Sequence, residues 1–317
     1  TGHVKAYVGG INYSHFKYDH VTQGRRQVGS TFKPFLYTLA MQEGEYGPCT
    51  QIPNTPVTFD LPEGGTWTPR NSSDEREGEM VTLKWALANS VNNISAFLMK
   101  RYSPQVLVQL VRRMGITSPI EPVPALSLGT PDISVAEMVG AMSTYANKGV
   151  HITPSFITRI EDKNGNLLEA FNPRQVEAMS EETAFLTLEL MKGVVESGTG
   201  RRLVFRYGFT HPIAGKTGTT QNNSDGWFIG ITPQLASAVW VGAEDRGIRF
   251  RSLSLGQGAN TSLPIWGLFM QRVYADESLN ITKEDFEKPL GPISVQTDCE
   301  QFEERADPRD YFRTEPF

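Results

Sequence analysis

Three short apolar runs, rich in β-forming residues and separated by turn residues, most constrain what this 317-residue chain can fold into. They lie late in the sequence, at residues 212–215, 227–231 and 236–241, and they predict strands that are close neighbours along the chain. Most of the sequence before them repeats its apolar residues at helical spacing instead. We therefore expect a sheet and several helices packed in layers.

Start and stop signals divide the helical part into separate segments. Ser134 with Glu137 three residues later is typical of a helix start, and glycines close several segments. Helices are predicted after Gly29 and at residues 82–102 (broken at 89–93), 105–114, 134–147, 181–197 and 263–274. Further strands are predicted at residues 4–8 and in a hairpin of 156–160 with 167–171.

The order of these segments predicts an α/β (α+β layered) fold. It consists of a mainly antiparallel sheet flanked by helices plus a helical subdomain at about residues 82–149. Residues 1–275 form the predicted domain, and residues 276–317 form an acidic, proline-containing tail. Residues 49–80 are a long irregular excursion, and loops of that length often form the wall of a functional site.

Composition and charge exclude several classes of function. The 30 Lys and Arg against 35 Asp and Glu leave a net charge of −5 without a long basic block, so no nucleic-acid partner is predicted. No stretch is long and apolar enough to span a membrane, and no signal peptide begins the chain. The abrupt strand-like start leads us to expect a cut at a domain boundary, with any anchor upstream.

The two cysteines, Cys49 and Cys299, are too few for a metal site or a disulfide framework. They could pair in an oxidising compartment or remain separate, and the sequence leaves both possibilities open. No metal site and no cofactor are predicted.

Ser30 and Lys33 are the strongest candidates for chemistry. A helical apolar run follows them, so the two side chains would lie one turn apart, with Cβ atoms about 5–6 Å from each other. A hydroxyl beside an amine is a nucleophile beside a possible base. The pattern alone is weak, because Ser14 and Lys17 show the same spacing in a segment without helical period. A helix cap with a solvated lysine is the alternative interpretation.

Two further motifs follow in order. Ser90 and Asn92 place a hydroxyl and an amide where two helices meet, although the same pattern recurs at Ser278 and is typical of capping. The second motif is a strand-like run with a lysine, two hydroxyls and a glycine that permits close approach, namely Lys216, Thr217, Gly218 and Thr219. It could pair with an extended substrate and bind a carboxylate, or be an edge strand with a solvated lysine.

This ordered triple resembles the penicillin-recognising serine enzymes, and most closely the transpeptidase domain of class A (bifunctional) penicillin-binding proteins. The resemblance extends over about residues 4–275. It rests on residues 26–35 (Arg-Gln-Val-Gly-Ser-Thr-Phe-Lys-Pro-Phe) and on the blocks at 8–10, 126–129, 145–149, 215–219, 225–230, 240–242 and 264–266. Residues 16–19 depart from the family pattern, which puts only the subfamily in doubt.

The resemblance implies a serine acyltransferase that cross-links peptidoglycan, a D,D-transpeptidase acting on D-Ala-D-Ala stem peptides and acylated by β-lactams. Ser30 would be the nucleophile, and Lys33 would be its base if burial and the charge of Lys216 keep it neutral. Ser90 would relay a proton, and Asn92 would orient the substrate. Backbone N–H groups of Ser30 and Thr219 would form the oxyanion hole.

Substrate and partners also follow from the resemblance. The terminal carboxylate of the stem peptide would meet Lys216, Thr217 and Thr219. The full-length protein would carry an upstream glycosyltransferase domain and a membrane helix, which places it in the periplasmic or other extracytoplasmic space.

Three other functional interpretations of the sequence remain open. A serine β-lactamase would hydrolyse the acyl-enzyme quickly, but the E-x-x-L-N glutamate of class A enzymes is absent between Ser90 and Lys216. A D,D-carboxypeptidase would use water as its acceptor, and a non-catalytic penicillin sensor would do no turnover. A Ser-His-Asp triad is weaker, because the five histidines are scattered and Ser30 is not in a G-x-S-x-G elbow.

Overall fold

The computed structural model describes residues 1–61, 63–220 and 222–299. Its longer helices agree closely with the predicted segments, whereas the four-residue helices α7 and α8 were not predicted. In chain order they are α1 (Lys33–Gln42), α2 (Leu83–Ala88), α3 (Asn92–Tyr102), α4 (Pro104–Arg113), α5 (Val135–Ala146), α6 (Glu181–Glu196), α7 (Arg202–Phe205), α8 (Leu253–Gly256) and α9 (Ser262–Ala275).

The strands are short apart from three. They are β1 (Arg25–Gln27), β2 (Gln51–Pro53), β3 (Phe59–Asp60), β4 (Thr66–Trp67), β5 (Met80–Thr82), β6 (Asp132–Ser134), β7 (Val150–Ile152), β8 (Arg159–Glu161), β9 (Leu167–Ala170), β10 (Gln175–Glu177), β11 (Ala214–Thr219), β12 (Asp225–Ile231) and β13 (Ala236–Gly242). The last three form the main sheet in the order β11-β12-β13, and the others pair two by two, as β1-β6, β2-β5, β3-β4, β7-β10 and β8-β9. All of these pairs are antiparallel, which confirms the predicted fold class.

Helices cover both faces of the main sheet because its central strand is apolar on both faces. Trp227 and Ile229 of β12 point into the large core that contains α1, α5 and α6. Phe228, between them, points the other way and packs against Trp266 of α9, with ring centroids 5.3 Å apart. This alternation follows from the period of two along a strand. Strand β11 is one edge of this three-stranded sheet, and β13 is the other.

Helix α1 lies at the centre of the helical layer. Its residues from Lys33 to Met41 are all buried, and α3, α4 and α6 pack around it. The predicted helical region at 82–149 belongs to the large hydrophobic core that also contains α1, α6 and one face of the main sheet. Its helix α5 packs directly on the main sheet, and its start carries the predicted capping box between Ser134 and Glu137.

The strand predicted at residues 4–8 was wrong. The chain makes only an isolated bridge there, between His3 and Ser155, and Tyr7 and Val8 are exposed. A strand needs a neighbour to accept and donate its backbone hydrogen bonds, and no strand of the described residues lies beside this segment.

The described part of the tail packs against the domain. Phe286 is buried in the main core, and Asp285 Oδ2 lies 2.8 Å from Lys192 Nζ on α6. A disulfide joins Cys49 to Cys299, which answers the question that the sequence left open. The predicted tail residues 300–317 lie outside the described residues.

Candidate active site

The predicted nucleophile and base lie at the start of α1. Gly29–Phe32 form a 3-10 turn, and α1 continues from it without a break at Lys33. The backbone N–H of Lys33 donates to Ser30 O, so the two residues are one turn apart, as the spacing predicts. Ser30 is half-buried, whereas the Lys33 side chain is buried completely. Within the described ranges the Ser30 hydroxyl has no hydrogen-bond partner, so its pairing with the Lys33 amine stays a prediction.

The three motif segments meet at the hydroxyl of Ser90. Lys33 Nζ lies 2.6 Å from Ser90 O, 3.3 Å from Ser90 Oγ and 2.6 Å from Asn92 Oδ1. Lys216 Nζ, from the edge strand β11, approaches the same Ser90 Oγ at 3.1 Å and also donates to Thr217 O at 3.1 Å. One hydroxyl therefore lies between two amines that are 183 residues apart in the sequence.

Ser90 reaches this position because the chain turns sharply between α2 and α3. Its φ is +60°, in the left-handed region that few residues other than glycine adopt. The turn is held by the backbone hydrogen bonds from Ser90 to Leu87 and from Val91 to Ala86. Strained backbone of this kind costs about 1–3 kcal/mol and is concentrated at functional sites.

Both amines are easier to deprotonate than an ordinary lysine. Burial holds the pKa of Lys33 well below its usual value, and the charge of Lys216 lowers it further. Burial also lowers the pKa of Lys216, to about 7. A neutral Lys33 would place its two hydrogens on the short contacts to Ser90 O and Asn92 Oδ1. Its lone pair would then be free to accept a proton from a neighbouring hydroxyl.

The hydroxyls and glycine of β11 are positioned by contacts from two other loops. Thr219 Oγ1 accepts from Gly258 N at 3.0 Å. A Cβ on Gly218 would come within 2.8 Å of Val28 O and of Thr31 Cγ2. In the structure the turn that carries Ser30 is a close neighbour of Gly218, and the predicted close approach of a substrate at Gly218 stays a prediction.

Gly29 and Gly129 bring the Ser30 turn against the sheet. Both have positive φ, and Gly29 N donates to Gly129 O at 2.9 Å. A Cβ on Gly29 would lie 3.2 Å from Thr219 N. The backbones of the Ser30 turn and the end of β11 are therefore in direct contact.

Sequence reasoning missed Thr199. Its hydroxyl lies 2.7 Å from that of Thr217, and its backbone N–H donates to Ala88 O at the end of α2. Thr199 thus links the turn before Ser90 to β11. The only signal in the sequence is that it stands between Gly198 and Gly200 after a predicted helix, which is also what a simple helix end looks like.

The repeated motifs lie elsewhere on the surface. Ser14 and Lys17 are exposed in a loop, and Ser278 is exposed and bonds Asp276. Among the described residues, no group of three or more His, Cys, Asp or Glu side chains is arranged to hold a metal ion. None of the helices in these ranges has the length and apolarity needed to cross a membrane.

The fold and the site together define a class, the transpeptidase domains of penicillin-binding proteins. The chain superposes on the crystal structure of penicillin-binding protein 1A from Haemophilus influenzae with a TM-score of 0.79 and 25% identity, covering 90% of this chain and 47% of that one. It superposes on the PonA1 protein of Mycobacterium tuberculosis in complex with penicillin V with a TM-score of 0.73 and 25% identity, covering 92% and 78%.

Residues 1–245 match the family described as the penicillin-binding protein transpeptidase domain, and the chain belongs to this family. Penicillin-binding protein 1A of Aquifex aeolicus is 30% identical over 92% of this chain and 40% of its own length. Penicillin-binding protein 2D of Bacillus subtilis is 35% identical over 95% of this chain and 43% of its own length. The chain therefore spans less than half the length of these relatives.

Proposed function

We propose that this chain is a serine D,D-transpeptidase that cross-links peptidoglycan and is acylated by β-lactams. One observation carries the proposal: in a member of the penicillin-binding family, the amines of Lys33 and Lys216 both lie within hydrogen-bond distance of Ser90 Oγ. Two buried amines on either side of one hydroxyl form a path for a proton. A solvated helix cap, the alternative interpretation of these motifs, would leave the lysines in water.

In the first half of the reaction, Ser30 Oγ attacks the carbonyl carbon between the two D-Ala residues of a stem peptide. Neutral Lys33 takes the hydroxyl proton. Ser90 passes its own proton to the nitrogen of the terminal D-Ala and is reprotonated by Lys33. The C–N bond breaks, free D-Ala leaves, and an ester joins the remaining peptide to Ser30. In the second half, an amine of a neighbouring strand attacks the ester, forms the cross-link and returns the proton to Ser30.

The ends of the substrate meet different parts of β11. The terminal carboxylate binds Lys216 with the hydroxyls of Thr217 and Thr219. Its negative charge favours the protonated form of the Lys216 amine, which is otherwise easily deprotonated, and an ammonium with two hydroxyl donors suits a carboxylate. Backbone N–H groups of Ser30 and Thr219 form the oxyanion hole. The contact of their two segments supports this assignment, and one such donor is typically worth about 3 kcal/mol. Asn92 orients the substrate amide together with Lys33.

The protein works outside the cytoplasm as part of a longer chain with an upstream glycosyltransferase domain and a membrane anchor. The length of the relatives supports the longer chain. The disulfide between Cys49 and Cys299 supports the compartment, because such bonds persist in oxidising surroundings. Stem peptides and β-lactams are its proposed ligands.

Labelling with a fluorescent penicillin tests the proposal. We expect one stable label per chain, lost in Ser30→Ala and kept in Ser14→Ala, which alters the exposed copy of the same motif. A label that turns over quickly would indicate a β-lactamase instead, and absence of labelling would leave only a scaffold without catalysis. Product analysis with a D-Ala-D-Ala peptide, with and without an added amine, separates transpeptidase from carboxypeptidase.

Carboxylate recognition is tested separately. Lys216→Ala should slow acylation most for β-lactams that carry the free carboxylate, because the ammonium that faces it is removed. The matched ligands are the same β-lactams as methyl esters. An equal loss for acids and esters would contradict this role of Lys216.

A further inference from the structure

The first turn of α3 is capped by a residue that lies far away in the sequence. The N–H groups that begin a helix have no acceptor within it, and the preceding residue, Val91, has no side chain that could supply one. Asn71 Oδ1 takes that place, at 2.9 Å from Asn92 N and 3.0 Å from Asn93 N. Asn71 lies between β4 and β5 in the excursion at residues 49–80, which the structure shows to contain short strands, so that excursion contacts the helix that starts at the active site.

Asn71 is itself held by a buried amide network. Its Nδ2 donates to Asn54 Oδ1 at 3.1 Å, and Asn93 Nδ2 donates to the same oxygen at 3.1 Å. Asn54 is completely buried, and its own Nδ2 donates to Arg76 O at 2.9 Å. Because each amide has one orientation that satisfies these bonds, the network determines which atom of Asn71 faces α3.

The residue before Asn71 orients the side chain of Asn92. Asn92 Nδ2 donates to Arg70 O at 2.6 Å, which leaves Asn92 Oδ1 pointing at Lys33 Nζ, also at 2.6 Å. If the amide were reversed, its NH2 group would face the Lys33 amine and its oxygen would face Arg70 O, so neither hydrogen bond could form. The side chain of Asn71 therefore holds the backbone of Asn92, and the carbonyl of Arg70 holds its side chain.

We propose that Asn71, together with the backbone carbonyl of Arg70, is a positioning residue for acyl transfer. It acts through Asn92, whose oxygen holds the Lys33 amine in place. This inference rests on the proposed function, in which Lys33 takes the proton of Ser30. It assigns the excursion at 49–80 a direct part in aligning the base.

The test compares acylation rates of Asn71→Ala and Asn71→Asp at the plateau of each pH profile. Asp keeps an oxygen in reach of the two N–H groups, but its second oxygen faces Asn54 Oδ1 and repels it. Ala loses both contacts. Ser180→Ala is the matched control, because it removes a cap of the same kind from α6, where Ser180 Oγ accepts from Thr183 N at 3.1 Å. Plateau rates are used because the added carboxylate could move the profile along the pH axis.

The proposal predicts that the acylation rates of the variants do not follow their thermal stabilities. Asn71→Ala should be acylated at least about tenfold more slowly at saturating penicillin, whereas Asn71→Asp should stay within about threefold of the original chain. Asn71→Asp should nevertheless have a Tm as low as that of Asn71→Ala or lower. Ser180→Ala should lose stability and keep its rate.

Two outcomes would overturn the inference while the proposed function stands. One is an acylation rate in folded Asn71→Ala equal to that of the unaltered chain. The other is a loss of acylation rate in both variants that is proportional to their loss of Tm. If Asn71→Ala does not fold, Asn71→Ser replaces it, since its shorter side chain cannot reach the N–H groups, and equal rates for Ser and Asp would then refute the role. Failure of the proposed function is recognised separately, because the unaltered chain would not be labelled.

Discussion

Replacing Lys216 with methionine should change how the stability of the protein depends on pH. Lys216 is completely buried on β11, and its pKa in the folded state is about 7. In the unfolded chain an ordinary lysine has a pKa of about 10.4. Lys216→Met fills a similar volume without an ionisable group, so it removes this pKa difference. It also removes the hydrogen bonds to Ser90 Oγ and Thr217 O, which contribute an offset that does not grow with pH.

The sign and size follow from proton linkage. Between about pH 7 and 10.4 the unfolded chain binds a proton at Lys216 that the folded chain does not, so the free energy of unfolding rises with pH. Each pH unit contributes at most about 1.4 kcal/mol, and integration from pH 7.5 to 9.5 gives about 2.5 kcal/mol. The lowered pKa of Lys33 also makes the free energy of unfolding rise with pH, but it does so in both proteins. Its contribution therefore largely cancels in the difference between them.

Urea unfolding at several pH values between about 7.5 and 9.5 measures this difference. Urea is preferred to guanidinium because it adds no salt to screen the charges. The gap in unfolding free energy between the original chain and Lys216→Met should shift by about 2.5 kcal/mol in favour of the original chain as pH rises. Lys17→Met, which replaces an exposed lysine, serves as the control. A gap that stays constant with pH would refute the reasoning that Lys216 is neutral in the fold.

Other predictions concern single contacts. Lys33→Ala should abolish penicillin labelling while circular dichroism remains that of a folded chain, and labelling at the original rate would remove its assignment as base. Cys299→Ser should lower the free energy of unfolding by about 3 kcal/mol, because it frees the tail that is bonded to Cys49, and an unchanged Tm without reductant would contradict this. Asp225→Asn should lower the free energy of unfolding by about 3 kcal/mol, because the buried Arg26 guanidinium, whose Nε lies 2.7 Å from Asp225 Oδ1, loses its opposite charge. Thermal unfolding measures this loss, and an unchanged Tm would contradict it.

The helices and the main sheet could be predicted because their signals are local. The capping box at Ser134 marks the start of α5, and the period of two in β12 follows from its two apolar faces. The ordered motifs also predicted which segments meet, and Ser90 Oγ is where they do. Local periodicity was misleading at residues 4–8, where strand-like residues have no partner strand.

Long-range contacts between irregular segments could not be predicted from local sequence. Asn71 acts on α3 only because the excursion folds back over 21 positions, and asparagine is common in any loop. The bond between Cys49 and Cys299 spans 250 positions, and two cysteines alone do not indicate whether they will be close. The pairing of Thr199 with Thr217 likewise depends on the packing of α6 beside β11.

Under the proposed function, the backbone at position 90 also limits how this protein can change under antibiotic pressure. Threonine keeps the hydroxyl that serine supplies, so by side-chain chemistry alone it would be the conservative replacement. At a φ of +60°, however, a β-branched residue is severely disfavoured. Asparagine and glycine tolerate the turn but lack the hydroxyl. Adaptation that reduces drug binding and preserves turnover is therefore expected in the walls around this turn, and not at the turn itself.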